Sequence, residues 1–362
     1  MKSPIARLVE FGQSPWYDNL TREHARGGLR ALMERDGIRG ITSNPTIFEK
    51  AMGAGTDYDE QLAQCAHSGL TTKDTYWELV TTDIAGAADL LLPVYEDAGG
   101  TDGFVSVEVD PDLAHDTDST IAQARELFER LGRPNVLIKI PATEAGLPAI
   151  TETIAAGINV NVTLIFSLDR HAAVIDAYLR GLERRVEQGA DVSRIASVAS
   201  FFVSRVDTET DRRLPDRHEL RGTAAVANAK VAYRLFRERF SGPRWDALAA
   251  AGAQLQRPLW ASTSTKNPEY SPTLYVDELI GRDTVNTLAQ ASIEALQEHD
   301  GLRPDTVTDD VEGARAVMQG LAEAGVDFDD VTATLEREGV ASFSASFHDA
   351  LDTLEKKARE VS

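Results

Sequence analysis

Short apolar runs of about five residues recur along the chain, each followed by a stretch with helical periodicity, and this alternation narrows the fold more than any other feature. The runs lie near residues 14, 38, 104, 136, 159, 197, 258 and 285. Strands alternating with helices build parallel sheets through right-handed crossovers. A count of eight favours a closed (β/α)8 barrel of the TIM type over an open doubly wound sheet. There is no Gly-x-Gly-x-x-Gly turn and no Walker loop, which weakens dinucleotide and nucleoside-triphosphate readings. From Asp309 onward the pattern is helical only. The expected organisation is one domain over residues 1–362, with the barrel at about 14–290 and added helices at about 305–362.

The intervening helices are predicted at Thr21 to Glu34, Asp57 to Ala66, Lys73 to Leu92, Asp118 to Leu131, Glu144 to Ala156, Leu168 to Gln188 after Ser167, and Thr223 to Phe240, with a final one from Phe347 to Glu360. Ile121, Ala124, Phe128 and Leu131 are spaced to share the inward face of the fourth. Asn44-Pro45 reads as an N-cap followed by proline at the first helical position.

The formal net charge of −21 argues against general nucleic-acid binding and against docking on anionic membranes. It also requires a local cationic site for any phosphorylated ligand. The one cysteine, Cys65, rules out an internal disulfide, suits a reducing compartment and is expected to be a buried inert thiol on a helix. Met1 to Gly12 lacks a secretory pattern, and no apolar run is long enough to span a bilayer. A cytoplasmic protein is expected, as a monomer or a homodimer.

Val136-Leu137-Ile138-Lys139-Ile140, bounded by Pro134 and Pro141, reads as a strand buried on both faces and interrupted by a lysine. Such a lysine either carries its head out to water or sits in a partly dry site. The second arrangement disfavours the ammonium and frees an amine that attacks carbonyls. In a barrel the C-terminal strand ends face the active site. The polar residues expected there are Asp18, Thr42, Asn44, Glu108, Lys139, Asn161, Thr163, Ser200, Arg205 and Ser262. Singly, Asp18 and Asn44 could be helix caps and Glu108 a solvent-facing strand residue. Asn159, Asn161 and Thr163 share one strand face by alternation, which suits a wet cavity better than a core. Their convergence with the others around a lysine points to a catalytic site. No His-x-Glu or paired-histidine spacing of a metal site is present, so no metal is expected.

Gly40-Ile41-Thr42-Ser43-Asn44-Pro45-Thr46-Ile47-Phe48 and Val136-Leu137-Ile138-Lys139-Ile140-Pro141-Ala142-Thr143 resemble the N-terminal and lysine signatures of the transaldolase family, enzymes that form Schiff bases with sugar phosphates. Val107-Glu108-Val109-Asp110, Asn159 to Ser167 and Ala199-Ser200-Phe201-Phe202-Val203-Ser204-Arg205 follow in family order. The resemblance runs from about residue 14 to 290. It implies that Lys139 forms the Schiff base, that Asp18 and Glu108 are the catalytic carboxylates, and that Thr163 helps hold the catalytic water. It further implies that Thr42, Asn44 and Asn161 lie around the dihydroxyacetone unit, and that Ser200 and Arg205 contact substrate and phosphate. No cofactor is implied. One stretch departs from the family's Ser-x-Arg phosphate motif: here Ala261-Ser262-Thr263-Ser264-Thr265-Lys266 offers Ser262 and, farther on, Lys266. Lysine would act there as a point charge without the planar fork of arginine. Fructose-6-phosphate aldolases are the nearest rivals, but they are shorter and carry Gln and Tyr at the positions of Glu108 and Phe202. A barrel that has lost activity and serves as a binding protein is the other alternative, and retention of Asp18, Glu108 and Lys139 speaks against it.

Overall fold

The computed structural model describes residues 3–215 and 219–361; Met1, Lys2, Asp216, Arg217, His218 and Ser362, which the expected domain includes, lie outside the described residues. Eight strands follow one another in space as they do in sequence and close on themselves. They are β1 (Gln13–Tyr17), β2 (Ile41–Thr42), β3 (Val105–Glu108), β4 (Val136–Pro141), β5 (Val160–Ile165), β6 (Ser197–Phe202), β7 (Gln256–Ala261) and β8 (Thr284–Leu288). Every pairing is parallel, and β1 pairs with β8 along the full length of both to seal the barrel. The expected (β/α)8 architecture with added C-terminal helices is therefore the observed one. Strand residues are buried on both faces, the inward side chains filling the barrel and the outward ones meeting the helices. At the N-terminal end Trp16 lies so close to Gly40 that a Cβ there would fall 2.5 Å from its ring. The Trp16 indole Nε1 donates to Asp102 Oδ1 at 3.0 Å.

The structure corrects several sequence-based boundaries. The expected helix at residues 21–34 is broken: His24–Gly28 forms a π turn, Gly27 has φ +132°, and a regular helix spans Leu29–Asp36. Two successive glycines permit that backbone, which a Cβ would disfavour. β2 begins at Ile41 rather than Ile38. The helix begun near Lys73 spans Thr72–Asp97 and runs on through Pro93. In Thr117–Leu131 the fully buried side chains are Thr120, Ala124, Leu127 and Leu131, while Ile121 and Phe128 are half-buried. Ser167 does cap Leu168–Glu187, accepting from Arg170 N at 3.1 Å. Cys65 is buried on Asp59–His67, and burial pushes its thiol up. Helices Ser204–Arg213, Pro243–Ala250 and Gln290–Gln297 were not foreseen.

The largest correction is at the C-terminal end. The helix expected from Phe347 begins at Phe328 and runs to Val361. It packs against helices Pro45–Gly53, Asp59–His67, Thr72–Asp97 and Ser204–Arg213 and reaches β5, so it crosses the mouth of the barrel. Hydrogen bonds pin it there: Thr46 Oγ1 to Ser346 Oγ at 2.7 Å, and Lys357 Nζ donating to the Gly55 carbonyl at 2.7 Å. Among the described residues no helix is long and apolar enough to cross a membrane.

Candidate active site

Lys139 lies on β4 with Glu108 of β3 and Asn161 of β5 as its register partners. It is 5% exposed. Its ammonium sits 3.1 Å from Glu108 Oε2 and donates to the Ser43 carbonyl at 3.2 Å. Burial pushes the Glu108 carboxyl above the ordinary range, with Lys139 and Arg205 drawing it back and Asp18 adding to the rise. A carboxylate in that state is a ready acceptor for a proton.

Asp18 follows β1 and accepts from Thr42 Oγ1 of the neighbouring β2 at 2.6 Å, so its side chain is held at the barrel mouth. Asn44 does cap Pro45–Gly53, its Oδ1 accepting from Ile47 N at 3.0 Å, with Pro45 at the first helical position. Asn44 also lines the cavity above Lys139, leaving its amide NH2 for a ligand.

The three polar residues expected on one strand face divide: Asn159 precedes β5, while Asn161 and Thr163 lie within it. Asn159 is structural: its Nδ2 donates to the Pro134 carbonyl at 2.8 Å and its Oδ1 accepts from Ala196 N at 2.9 Å. Asn161 is wholly buried, donating to Ser106 Oγ at 3.0 Å and accepting from Ser200 Oγ at 2.7 Å. Thr163 lines the cavity, and its buried Oγ1 has no hydrogen-bond partner among the described residues. A bulge follows it, since the register moves from Val162 opposite Ala199 to Ile165 opposite Phe201. Leu164 carries the extra residue at φ +60°, a strained conformation for a side chain of that size. It packs at Gly339 of the long helix, where a Cβ would fall 2.8 Å from Leu164 Cδ2.

A cavity of about 170 Å³ joins these groups. Of the residues singled out in the sequence, Asp18, Thr42, Asn44, Lys139, Thr163, Ser200, Phe202, Arg205, Ser262 and Lys266 line it. Asn161 and Glu108 do not: Asn161 lies beneath Ser200, and Glu108 faces a small hollow behind Lys139 beside Ser43, Asn44 and Tyr76. Arg205 stands in the first turn of Ser204–Arg213 with its guanidinium 5.2 Å from the centre of the Phe202 ring. Burial pulls the guanidinium below its ordinary value, while Asp18, Glu108 and Glu338 oppose that shift from farther off. Ser262 follows β7 at φ +57°, its Oγ 2.9 Å from Ser204 Oγ. Lys266 is exposed and donates to Ser264 Oγ at 2.9 Å.

Sequence reasoning missed Phe343. This residue of the C-terminal helix lines the cavity with its ring centre 5.5 Å from Lys139 Nζ. Nothing in its local sequence marks it, because an aromatic on an amphipathic helix reads as core. The Ser43 carbonyl was also missed, since side-chain motifs carry no backbone acceptors.

The family model described as transaldolase/fructose-6-phosphate aldolase matches residues 15–354. The chain belongs to that family. It is 51% identical to the transaldolase of Parafrankia sp. (strain EAN1pec), over 99% of this chain and 98% of the relative. It is 50% identical to transaldolase 1 of Streptomyces avermitilis, over 98% and 96%, and to the transaldolase of Acidothermus cellulolyticus, over 96% and 95%. The family resemblance carried by the Thr42 and Lys139 signatures thus extends through the C-terminal helix, beyond the stretch the motifs covered.

Proposed function

We infer that the protein is a transaldolase, moving a dihydroxyacetone unit from a ketose phosphate to an aldose phosphate through a Schiff base on Lys139. The observation that carries this reading is the buried Lys139 ammonium, 3.1 Å from Glu108, in a cavity that also holds Asp18 and Arg205. Sedoheptulose 7-phosphate and fructose 6-phosphate are the donors proposed; glyceraldehyde 3-phosphate and erythrose 4-phosphate are the acceptors. The lone buried thiol accords with a cytoplasmic site of action.

Lys139 loses its proton toward Glu108, and the neutral amine attacks the donor ketone. Loss of water gives an iminium, with Glu108 and a water on Thr163 Oγ1 moving the protons. The iminium draws electrons from the bond between carbons 3 and 4. Asp18, steadied by Thr42, takes the proton of the hydroxyl on carbon 4 as that bond breaks. An aldose phosphate leaves and a three-carbon enamine stays on Lys139. The enamine carbon then attacks the carbonyl of the incoming aldehyde, whose oxygen takes the proton back from Asp18. Water adds to the new iminium, the C–N bond breaks and the product ketose leaves. Asn44 and Ser200 hold the hydroxyls of the three-carbon unit, a role supported by their place in the cavity and by the bond from Ser200 Oγ to Asn161. Arg205, with Ser262 and Lys266, supplies the positive end for the phosphate.

Fructose-6-phosphate aldolase activity is the second reading, and Phe202 disfavours it. A phenyl ring supplies no hydroxyl to bring a proton to the enamine. Incubation with fructose 6-phosphate and borohydride should add one reduced dihydroxyacetone unit to the peptide containing Lys139. Transfer to erythrose 4-phosphate should greatly outpace release of free dihydroxyacetone. An adduct on another lysine would overturn the assignment of Lys139, and release as fast as transfer would make the protein an aldolase.

A further inference from the structure

The long C-terminal helix places Phe343 over the reactive nitrogen and holds it there from both sides. One turn before it, Gly339 rests on Leu164 of the β5 bulge. One turn after it, the Phe347 ring packs edge-on against Tyr76 at 4.9 Å. Ser344 Oγ donates to Asp112 Oδ1 at 2.6 Å, and Ser346 is paired with Thr46. Phe343 itself is 4% exposed. Its ring is thus fixed rather than lying loosely over the cavity. Its centre, 5.5 Å from Lys139 Nζ, is within the range at which an aromatic face attracts a cation. Phe202 is the other aromatic wall of the same cavity, and neither ring carries an exchangeable proton.

We propose that Phe343 is a specificity-determining residue that directs the enamine on Lys139 toward the acceptor aldehyde and away from water. This rests on the reading of Lys139 as the Schiff-base residue. The enamine has two fates. In transfer, its carbon forms a C–C bond to the aldehyde carbon. In the wasteful branch, that carbon takes a proton, the resulting iminium adds water across C=N, the C–N bond breaks and dihydroxyacetone leaves the free amine. The proton gained at carbon balances the one Asp18 removed from the donor hydroxyl, and the water consumed balances the water lost when the iminium formed. The wasteful branch needs a proton donor beside the three-carbon unit. The Phe343 ring fills that space on the side of the C-terminal helix, while Ser262, Ser264 and Lys266 form a polar edge suited to a phosphorylated acceptor.

The test is the ratio of dihydroxyacetone release to transfer, measured on one preparation so that the folded fraction cancels. Phe343→Ala should raise the ratio by about tenfold or more, which corresponds to about 1.4 kcal/mol between the two barriers. Phe343→Leu, which keeps most of the apolar volume, should stay within about twofold of the unmodified protein. An unchanged ratio in Phe343→Ala would overturn the proposal. So would an equal rise in Leu354→Ala, which loosens the same helix farther from the cavity, because mobility rather than the ring would then be the cause. Borohydride trapping on the same samples separates the two ideas. Loss of the Lys139 adduct in the unmodified protein sinks the functional reading, whereas a normal adduct with an unchanged ratio sinks only the role of Phe343.

Discussion

Arg205 lays its guanidinium on the face of Phe202, and the strongly acidic chain gives that contact its importance. A phosphate dianion approaching a surface of this charge meets repulsion that a local cation must offset. Arginine provides two parallel donors to phosphate, whereas the exposed Lys266 provides a point charge. Arg205→Ala should therefore raise KM for fructose 6-phosphate by roughly 10- to 100-fold, the range for loss of charge-assisted hydrogen bonds. Unphosphorylated fructose should be affected much less, and steady-state kinetics with both donors checks this. Equal losses would mean that Arg205 acts by holding Phe202 in place. At this scale the sequence was informative where function departs from core design. A lysine inside an apolar strand and polar residues at strand ends were visible because each breaks the local pattern. Asn159 shows the limit: alternation puts it on one face with Asn161 and Thr163, yet it precedes β5 and its amide ties the start of that strand to its neighbours.

Among the elements, the helix Phe328–Val361 contributes the most that sequence periodicity did not reveal. The alternating strands were legible because burial on both faces demands continuous apolar runs. The helix hides its role because a face covering an active site looks like a face covering any core. The β5 bulge was illegible for a related reason: alternation assumes an even register, and one inserted residue at Leu164 changes which side chains face the cavity. Aromatic packing adds to the hydrogen bonds that hold the helix, with Phe347 among Tyr76 and Trp77. Phe347→Ala should destabilise the fold by about 3–5 kcal/mol, as expected for truncating a buried aromatic. Urea titration followed by circular dichroism measures it, and a loss below about 1 kcal/mol would mean that the helix is anchored elsewhere.

For the whole molecule, acid sensitivity should come in part from a residue remote from the chemistry. His171 is fully buried on Leu168–Glu187, neither ring nitrogen has a hydrogen-bond partner among the described residues, and its ring lies 5.5 Å from that of Phe201. Burial lowers its pKa from 6.5 to about 4. The unfolded chain therefore binds this proton more readily than the native state does, and stability falls as pH drops from about 6.5 toward 4. The loss should reach about 2 kcal/mol between pH 7 and pH 5. His171→Leu should flatten the slope over that interval, and unfolding midpoints at both pH values test it. A slope identical to that of the unmodified protein would show that other groups set the acid limit.

The helix that roofs Lys139 is encoded after all eight strands, and this bears on the order in which the protein comes into being on the ribosome. The strands, the amine and the carboxylates are all translated before the aromatic ceiling. On the proposal made for Phe343, such an unfinished barrel would spill its captive three-carbon fragment into water. Economical chemistry would begin only once translation has passed the helix and the ceiling has settled over the amine.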